Sequence, residues 1–148
     1  MTKQLKWPGI NITQTDRDLV SRIMDADGYL TKINIKDLLM MAAAISVKKQ
    51  LPKLNLRNDD KYDKNVAHPT LMNQPDYEEF RQYIALTYYL TAGNRKLDNM
   101  TDASAMVKNF VDQAQRGLRY LEMNYVNSNK GSDDLMDELL SIIKNIRY

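Results

Sequence analysis

Apolar and polar positions recur at helical spacing through most of the chain, and no stretch is convincingly patterned as a strand. The first predicted helix runs from about Asp16 to Asp27, because Thr15 supplies an N-cap hydroxyl and Gly28 suits a left-handed helix end. Its apolar face is made by four residues: Leu19, Val20, Ile23 and Met24.

The second predicted helix spans roughly Asn34 to Gln50, with Thr31 or Asn34 as its N-cap and Pro52 as its stop. Residues 38–45 at its centre are apolar on every side, which is typical of a helix surrounded by other helices. We therefore expect this helix to lie in the middle of the fold.

Two further helices have recognisable N-terminal caps. The third is predicted from Asp76 to a stop at Gly93, because Asp76 and Glu79 have the spacing of a capping box. The fifth is predicted from the Ser132 cap to about Ile146, and acidic residues in its first turn suit the positive end of the helix dipole.

The fourth predicted helix begins near Thr101 or Asp102 and continues to about Tyr125. Gly117 in its interior costs about 1 kcal/mol relative to alanine, so we expect another helix to cross closely at this position. Its apolar stripe advances in steps of three or four residues: Met106, Phe110, Ala114, Leu118 and Leu121.

Residues 51–74, between the second and third helices, are rich in Asn, Asp and Lys. Loops longer than about 12–15 residues are uncommon in compact domains and tend to be functional or disordered. The pattern as a whole predicts an all-α fold: a compact bundle of about five helices in a single domain, residues 1–148, with one long polar loop at 51–74.

Composition narrows the chemistry. The chain of 148 residues has no Cys and one His, His68, which excludes disulfides, thiolate nucleophiles and Cys-bearing metal sites. No Gly-rich phosphate loop or serine elbow is present. We therefore expect no cofactor, no metal and no catalytic residue, and an enzyme built on His68 is the less favoured alternative.

Targeting signals are also missing from the pattern. No apolar run approaches the roughly 20 residues of a membrane crossing, and the first nine residues lack the apolar core of a signal peptide. A cytoplasmic protein without a membrane partner is expected. Abundant Asn, Lys and Tyr suggest an AT-rich coding sequence, from a low-GC bacterium or one of its phages.

Charge is unevenly distributed although the net charge is only +2. Residues 1–67 hold twelve Lys and Arg against eight Asp and Glu, whereas residues 68–148 hold nine against eleven. Many of these positive charges are concentrated at the end of the second helix and in the long loop. Such a basic cluster is either part of a solvated loop or a surface for a macromolecular partner, phosphate backbones included. The candidate contact residues are Lys48, Lys49, Lys53, Arg57, Lys61 and Lys64, with Arg116 and Arg119 on the fourth helix.

Two stretches resemble small helical accessory proteins of DNA-phosphorothioation defence systems. Residues 37–49 have an acidic start, an alanine-rich centre and a basic end, and residues 83–86 and 111–121 are similar to that family's Ile-Ala-Leu helix and Ala-x-x-Gly-Leu core. The chain departs from the family at Ser46, where glycine is usual. The resemblance implies an accessory protein of a defence locus with no catalytic residue.

A second resemblance concerns residues 86–94, which are similar to a helix in the small subunits of type III CRISPR effector complexes and imply contacts to RNA backbones. The leading interpretation is a non-catalytic helical interaction protein in bacterial or phage defence or counter-defence, most simply with a protein partner. The alternative is a nucleic-acid-binding subunit that uses the basic segment 48–64.

Overall fold

Helices dominate the computed structural model, which describes residues 5–26, 33–56, 60–91 and 102–126. Within these ranges the predicted helical class is confirmed, and a two-stranded antiparallel sheet is added. The elements are β1 (Ile10–Ile12), α1 (Gln14–Ala26), α2 (Ile35–Lys49), β2 (Lys64–Ala67), α3 (Pro69–Met72), α4 (Glu78–Thr91) and α5 (Ala103–Leu121).

The centre of the fold is the crossing of α2 and α5. A Cβ atom built on Gly117 would lie 1.8 Å from the carbonyl oxygen of Ala42, so the two backbones are in direct contact there. The predicted close crossing at Gly117 is confirmed. Its partner is α2, whose residues Leu38, Leu39, Ala42, Ala43, Ile45 and Ser46 are buried, as expected for a central helix.

Side-chain caps define three of the helix starts. The Asn34 side chain accepts a hydrogen bond from the Asp37 backbone N–H, and Asp102 does the same for Ala105. Each is one of the two alternatives predicted for its helix, Thr31 or Asn34 and Thr101 or Asp102. The start of α1 differs by two residues, because Thr13 rather than Thr15 is the cap. The Thr13 hydroxyl accepts from the Asp16 N–H, and the Asp16 carboxylate accepts from the Thr13 N–H.

The predicted third helix corresponds to α4, which is preceded by a 3-10 turn at Pro75–Tyr77. An aromatic cluster holds α4 against α5, with Phe80 and Tyr83 both edge-on to Phe110 at centroid distances of 5.4 and 6.2 Å. The Tyr83 hydroxyl donates a hydrogen bond to the Met40 carbonyl at 2.7 Å, which joins α4 to α2.

The expectation that no stretch forms a strand is wrong. Ile10 pairs with Ala67 and Ile12 with Lys64, in an antiparallel ribbon with an irregularity after Ile10. Ile10 and Ile12 are buried while Asn11 is exposed, which is the alternation that a half-buried strand requires. A three-residue strand is too short for this alternation to stand out among helical patterns.

The segment 51–74 is not one structureless loop, because β2 and α3 lie within it. The Asn73 side chain accepts from the Trp7 N–H and donates to the Trp7 carbonyl, so the end of α3 is bound to the N-terminal segment. The predicted fifth helix, 132–146, and the predicted helix ends at Asp27–Gly28 and Gly93 lie outside the described residues. After α5 the chain continues in a π-helical turn, Glu122–Val126.

Candidate binding cleft

Two residues between α2 and β2 are hydrogen-bonded to α5. Arg116 donates from Nη1 to the Leu51 carbonyl at 3.0 Å. Gln115 donates from Nε2 to the Tyr62 hydroxyl at 3.2 Å. Leu51 and Tyr62 therefore both lie beside α5, and a cleft is present on the N-terminal half of this helix.

The cleft has a volume of about 700 Å³. Its floor is the apolar side of α5, where Val107 and Val111 are nearly buried, and one wall is the N-terminal chain at Pro8 and Gly9. Tyr62, which is 47% exposed, also lines the cleft. The cleft therefore combines an apolar floor with an accessible aromatic ring.

Two lysines give the cleft a positive charge. Lys53 and Lys108 both line it, both are exposed, and neither has an ion-pair partner among the described residues. Asp112 also lines it, but its carboxylate is bound by Arg116 at 2.6 Å. The unneutralised charge at this surface is consequently cationic.

A buried polar cluster lies behind the cleft. Asp16 is fully buried, and its carboxylate accepts hydrogen bonds from the Thr13 N–H, from Gln115 Nε2 at 2.8 Å and from Arg119 Nη1 at 2.9 Å. Gln115, only 1% exposed, thus bonds Asp16 on one side and Tyr62 on the other. This cluster fixes the Tyr62 hydroxyl through Gln115.

The eight predicted contact residues fall into different environments. Arg116 and Arg119 are engaged in the internal contacts described above, with Asp112 and Asp16 respectively. Lys49 lies over the Tyr120 ring, 5.1 Å from its centroid. Lys48, Lys53 and Lys61 are exposed, Lys64 is half-buried on β2, and Arg57 lies outside the described residues.

The remaining predicted chemistry is limited. His68 is exposed and has extended backbone angles at the position before α3, without a side-chain cap bond. Across the described ranges, no three His, Cys, Asp or Glu residues are grouped so that they could hold a metal ion. None of the helices described there has the length and apolar character of a membrane crossing.

A second, smaller hollow of about 200 Å³ lies between α2 and α4. Ala44 and Val47 form its α2 side, next to the exposed Lys48, and the α4 side carries Leu86 and Leu90. These two leucines are one helical turn apart and are 46% and 48% exposed. The hollow is thus an apolar surface with a positive charge at its edge.

The described ranges define a predominantly helical protein in which a short β-ribbon and a connecting segment close one side of α5 into a cleft. Comparison of the chain with protein-family models, with curated proteins and with solved structures found no match. The site is therefore interpreted from its own geometry.

Sequence reasoning missed the cleft as a whole, although it identified Lys53. The cleft is lined by three distant parts of the chain, represented by Pro8 and Gly9, by Tyr62 and by Lys108. The β1–β2 pairing brings Pro8 and Gly9 to α5. The one available signal was the Ile-Asn-Ile alternation at Ile10–Ile12, which marks the strand that positions this wall.

Proposed function

We propose that this chain is a non-catalytic binding protein that recognises another protein. The observation that carries the proposal is the hollow between α2 and α4. Leu86 and Leu90 are about half exposed there, side by side, over the apolar residues Ala44 and Val47. Contiguous exposed apolar surface with a polar edge is typical of protein contact sites.

The positive charge beside the hollow indicates a partner with negative charge at its contact site. Lys48 borders the hollow, and none of the described residues that line it is acidic. A partner that inserts an apolar side chain flanked by Asp or Glu would cover the leucines and approach the lysine with the opposite charge. Lys48, at the basic end of α2, then belongs to the same contact surface.

The buried polar side chains are hydrogen-bonded to one another, which supports a role without catalysis. Asp16 is bound to Gln115 and Arg119, and the Ser46 hydroxyl donates to Gln113 at 2.6 Å. These groups hold helices to one another, and the chemistry of a general base or nucleophile requires groups directed at a substrate. A setting in bacterial or phage defence or counter-defence rests on the resemblance of residues 37–49, 83–86 and 111–121 alone.

The test is affinity purification of the tagged chain from an extract of its own host, repeated with point variants. We expect one protein to be retained stoichiometrically by the wild type and lost from both Leu86→Glu and Lys48→Glu. Leu71→Glu is the matched control, because Leu71 is 45% exposed on α3 and does not line the hollow. Circular dichroism checks that each variant is folded.

Two outcomes would contradict this function. One is that the wild type retains no protein; the other is that Leu86→Glu and Leu71→Glu retain the same protein equally. Deletion of residues 55–66, a natural first experiment on the predicted loop, does not give a clean test. It would remove Lys64, Asn65 and Val66, which belong to β2.

A second candidate function is nucleic-acid binding, favoured by Tyr62 between Lys61 and Lys64. Asp63 follows Tyr62 directly, but an exposed aromatic residue close to lysines is the combination that single-stranded nucleic acids use for stacking and phosphate contacts. Fluorescence anisotropy with labelled single-stranded RNA and DNA should then show affinity that falls steeply between low and physiological salt. No anisotropy change at low salt would eliminate this candidate.

A further inference from the structure

The cleft on the N-terminal half of α5 has the dimensions of a small-molecule site. Its volume of about 700 Å³ lies within the range of roughly 300–1,000 Å³ that is usual for ligand pockets. Most of the surface that it offers comes from apolar groups, and polar side chains such as Asn11, Ser104 and Asn109 also line it. This is the composition expected of a site that buries an organic ligand and orients it with a small number of polar contacts.

The aromatic wall is held in place. The Tyr62 hydroxyl is hydrogen-bonded to Gln115, whose amide nitrogen also donates to the buried Asp16 carboxylate. A tyrosine that is bonded through its hydroxyl keeps its ring at one position beside the cleft, and 47% of the surface of Tyr62 is exposed. Such a ring favours stacking or edge contact with a flat aromatic ligand.

The positive charge of the cleft favours a negatively charged ligand. Lys53 reaches it from the segment after α2 and Lys108 from the second turn of α5. Since Asp112 is already paired with Arg116, no free carboxylate among the described residues lines this surface with the two ammonium groups. An anionic group near both lysines gains attraction from two cations, whereas a cationic ligand is repelled.

We propose that this cleft binds a small aromatic anion. The flat ring lies against Tyr62 and the floor at Val107 and Val111, and the phosphate, carboxylate or sulfonate group contacts Lys53 and Lys108. The site is separate from the leucine hollow between α2 and α4, so it does not depend on the proposed protein partner. The ligand class follows from three features together: the volume, the accessible ring and the two unpaired lysines.

The experiment uses the full chain and 8-anilinonaphthalene-1-sulfonate, an aromatic sulfonate that fluoresces on entering an apolar site. We expect saturable one-to-one binding that is competed by AMP or by 4-aminobenzoate. Whichever competitor is stronger identifies the preferred anion as phosphate or carboxylate. Lys53→Ala and Lys108→Ala should each weaken binding by about 5-fold to 10-fold, which corresponds to the loss of one charge contact.

Two further variants separate the cleft from unspecific dye binding. Lys61→Ala removes a neighbouring exposed lysine that does not line the cleft and should leave affinity unchanged. Ser104→Trp places a large side chain at an exposed position of the cleft wall and should abolish binding while the far-ultraviolet circular dichroism stays native.

Three results would overturn the proposal. The first is the absence of any dye or competitor binding up to about 1 mM. The second is binding that persists in Ser104→Trp, or that falls equally in Lys61→Ala and Lys108→Ala, since the dye would then be held elsewhere. The third is an octadeoxythymidylate that binds more than about 10-fold tighter than AMP, which would assign the cleft to a nucleic-acid strand.

Discussion

The two halves of α5 carry positive charge in opposite ways. In the C-terminal half, Arg116 and Arg119 are bound to Asp112 and Asp16, and both side chains are largely buried. In the N-terminal half, Lys108 is exposed beside the cleft with no carboxylate partner among the described residues. A basic residue therefore indicates a recognition surface only when no acidic side chain of the same protein already binds it.

The largest expected effect is a loss of stability when the charge of Asp16, the buried carboxylate that binds Arg119 on α5, is removed. Asp16→Asn removes the charge that faces Arg119 and places an N–H₂ group among three donors. We expect the free energy of unfolding to fall by about 3 kcal/mol, because a buried ion pair loses one partner. Urea denaturation measures it. Asp18→Asn, on the exposed side of α1, is the control and should change stability by less than about 0.5 kcal/mol. Equal effects of the two variants would mean that Asp16 is not an internal anchor.

The next effect concerns the backbone contact in the same half of α5. Gly117→Ala puts a Cβ where the Ala42 carbonyl lies, and neither group is a flexible side chain. Separation of α2 from α5 should cost about 2–3 kcal/mol, although alanine by itself favours a helix. Thermal unfolding of this variant beside Ser104→Ala, an exposed position on the same helix, distinguishes the clash from propensity. A Gly117→Ala variant as stable as the wild type would contradict the close crossing.

A smaller effect is expected where α4 joins α2 and the N-terminal half of α5. Tyr83→Phe removes the hydroxyl that donates to the Met40 carbonyl, and we expect a loss of about 1–2 kcal/mol near neutral pH. Tyr77→Phe is the control, since Tyr77 also packs against Phe80 through its ring. Denaturation curves of the two variants at pH 7 give the difference.

The same tyrosine should show a pH dependence. Burial raises the pKa of Tyr83 from 10.0 to about 12. The folded state thus holds the proton that the unfolded state releases above pH 10, so this contribution to stability is complete below pH 10 and is lost as the pH rises from 10 to 12. At pH 11 the wild type should have lost about 1 kcal/mol by this route. Tyr83→Phe should not show this loss, whereas Tyr77→Phe should; identical pH profiles for both variants would contradict the assignment.

The smallest effect is expected in the N-terminal half of α5. Lys108→Ala and Lys53→Ala should each change the unfolding free energy by less than about 0.5 kcal/mol, because neither lysine has a described ion pair to lose. Thermal melts check this. A destabilisation as large as that of Asp16→Asn would remove the contrast between the two halves of the helix.

Much of the helical framework was predictable because its signals are local. Asn34 and Asp102 cap the helices that their sequence positions indicate, and Gly117 marks the crossing that a glycine in a long apolar stripe suggests. The start of α1 was misplaced because Thr13 and Thr15 are both plausible caps. Only the reciprocal bond with Asp16 decides between them.

The site was less predictable because it depends on distant parts of the chain. Arg119 belongs to a charged cluster in the sequence, and only its pairing with Asp16 reveals it as an internal residue. Conversely, Lys108 is distinguished from other exposed lysines only because Pro8 and Gly9 line the same cleft. A strand pairing between segments so far apart carries no local signal beyond its short alternation.

The bond between Trp7 and Asn73 joins residues 66 positions apart, so the N-terminal wall of the cleft depends on closing a long loop. Closing a loop of this length costs chain entropy, which the bond must offset. A ligand that binds the cleft binds only chains in which this wall is in place, so it stabilises the closed form. The melting temperature should therefore rise with ligand concentration.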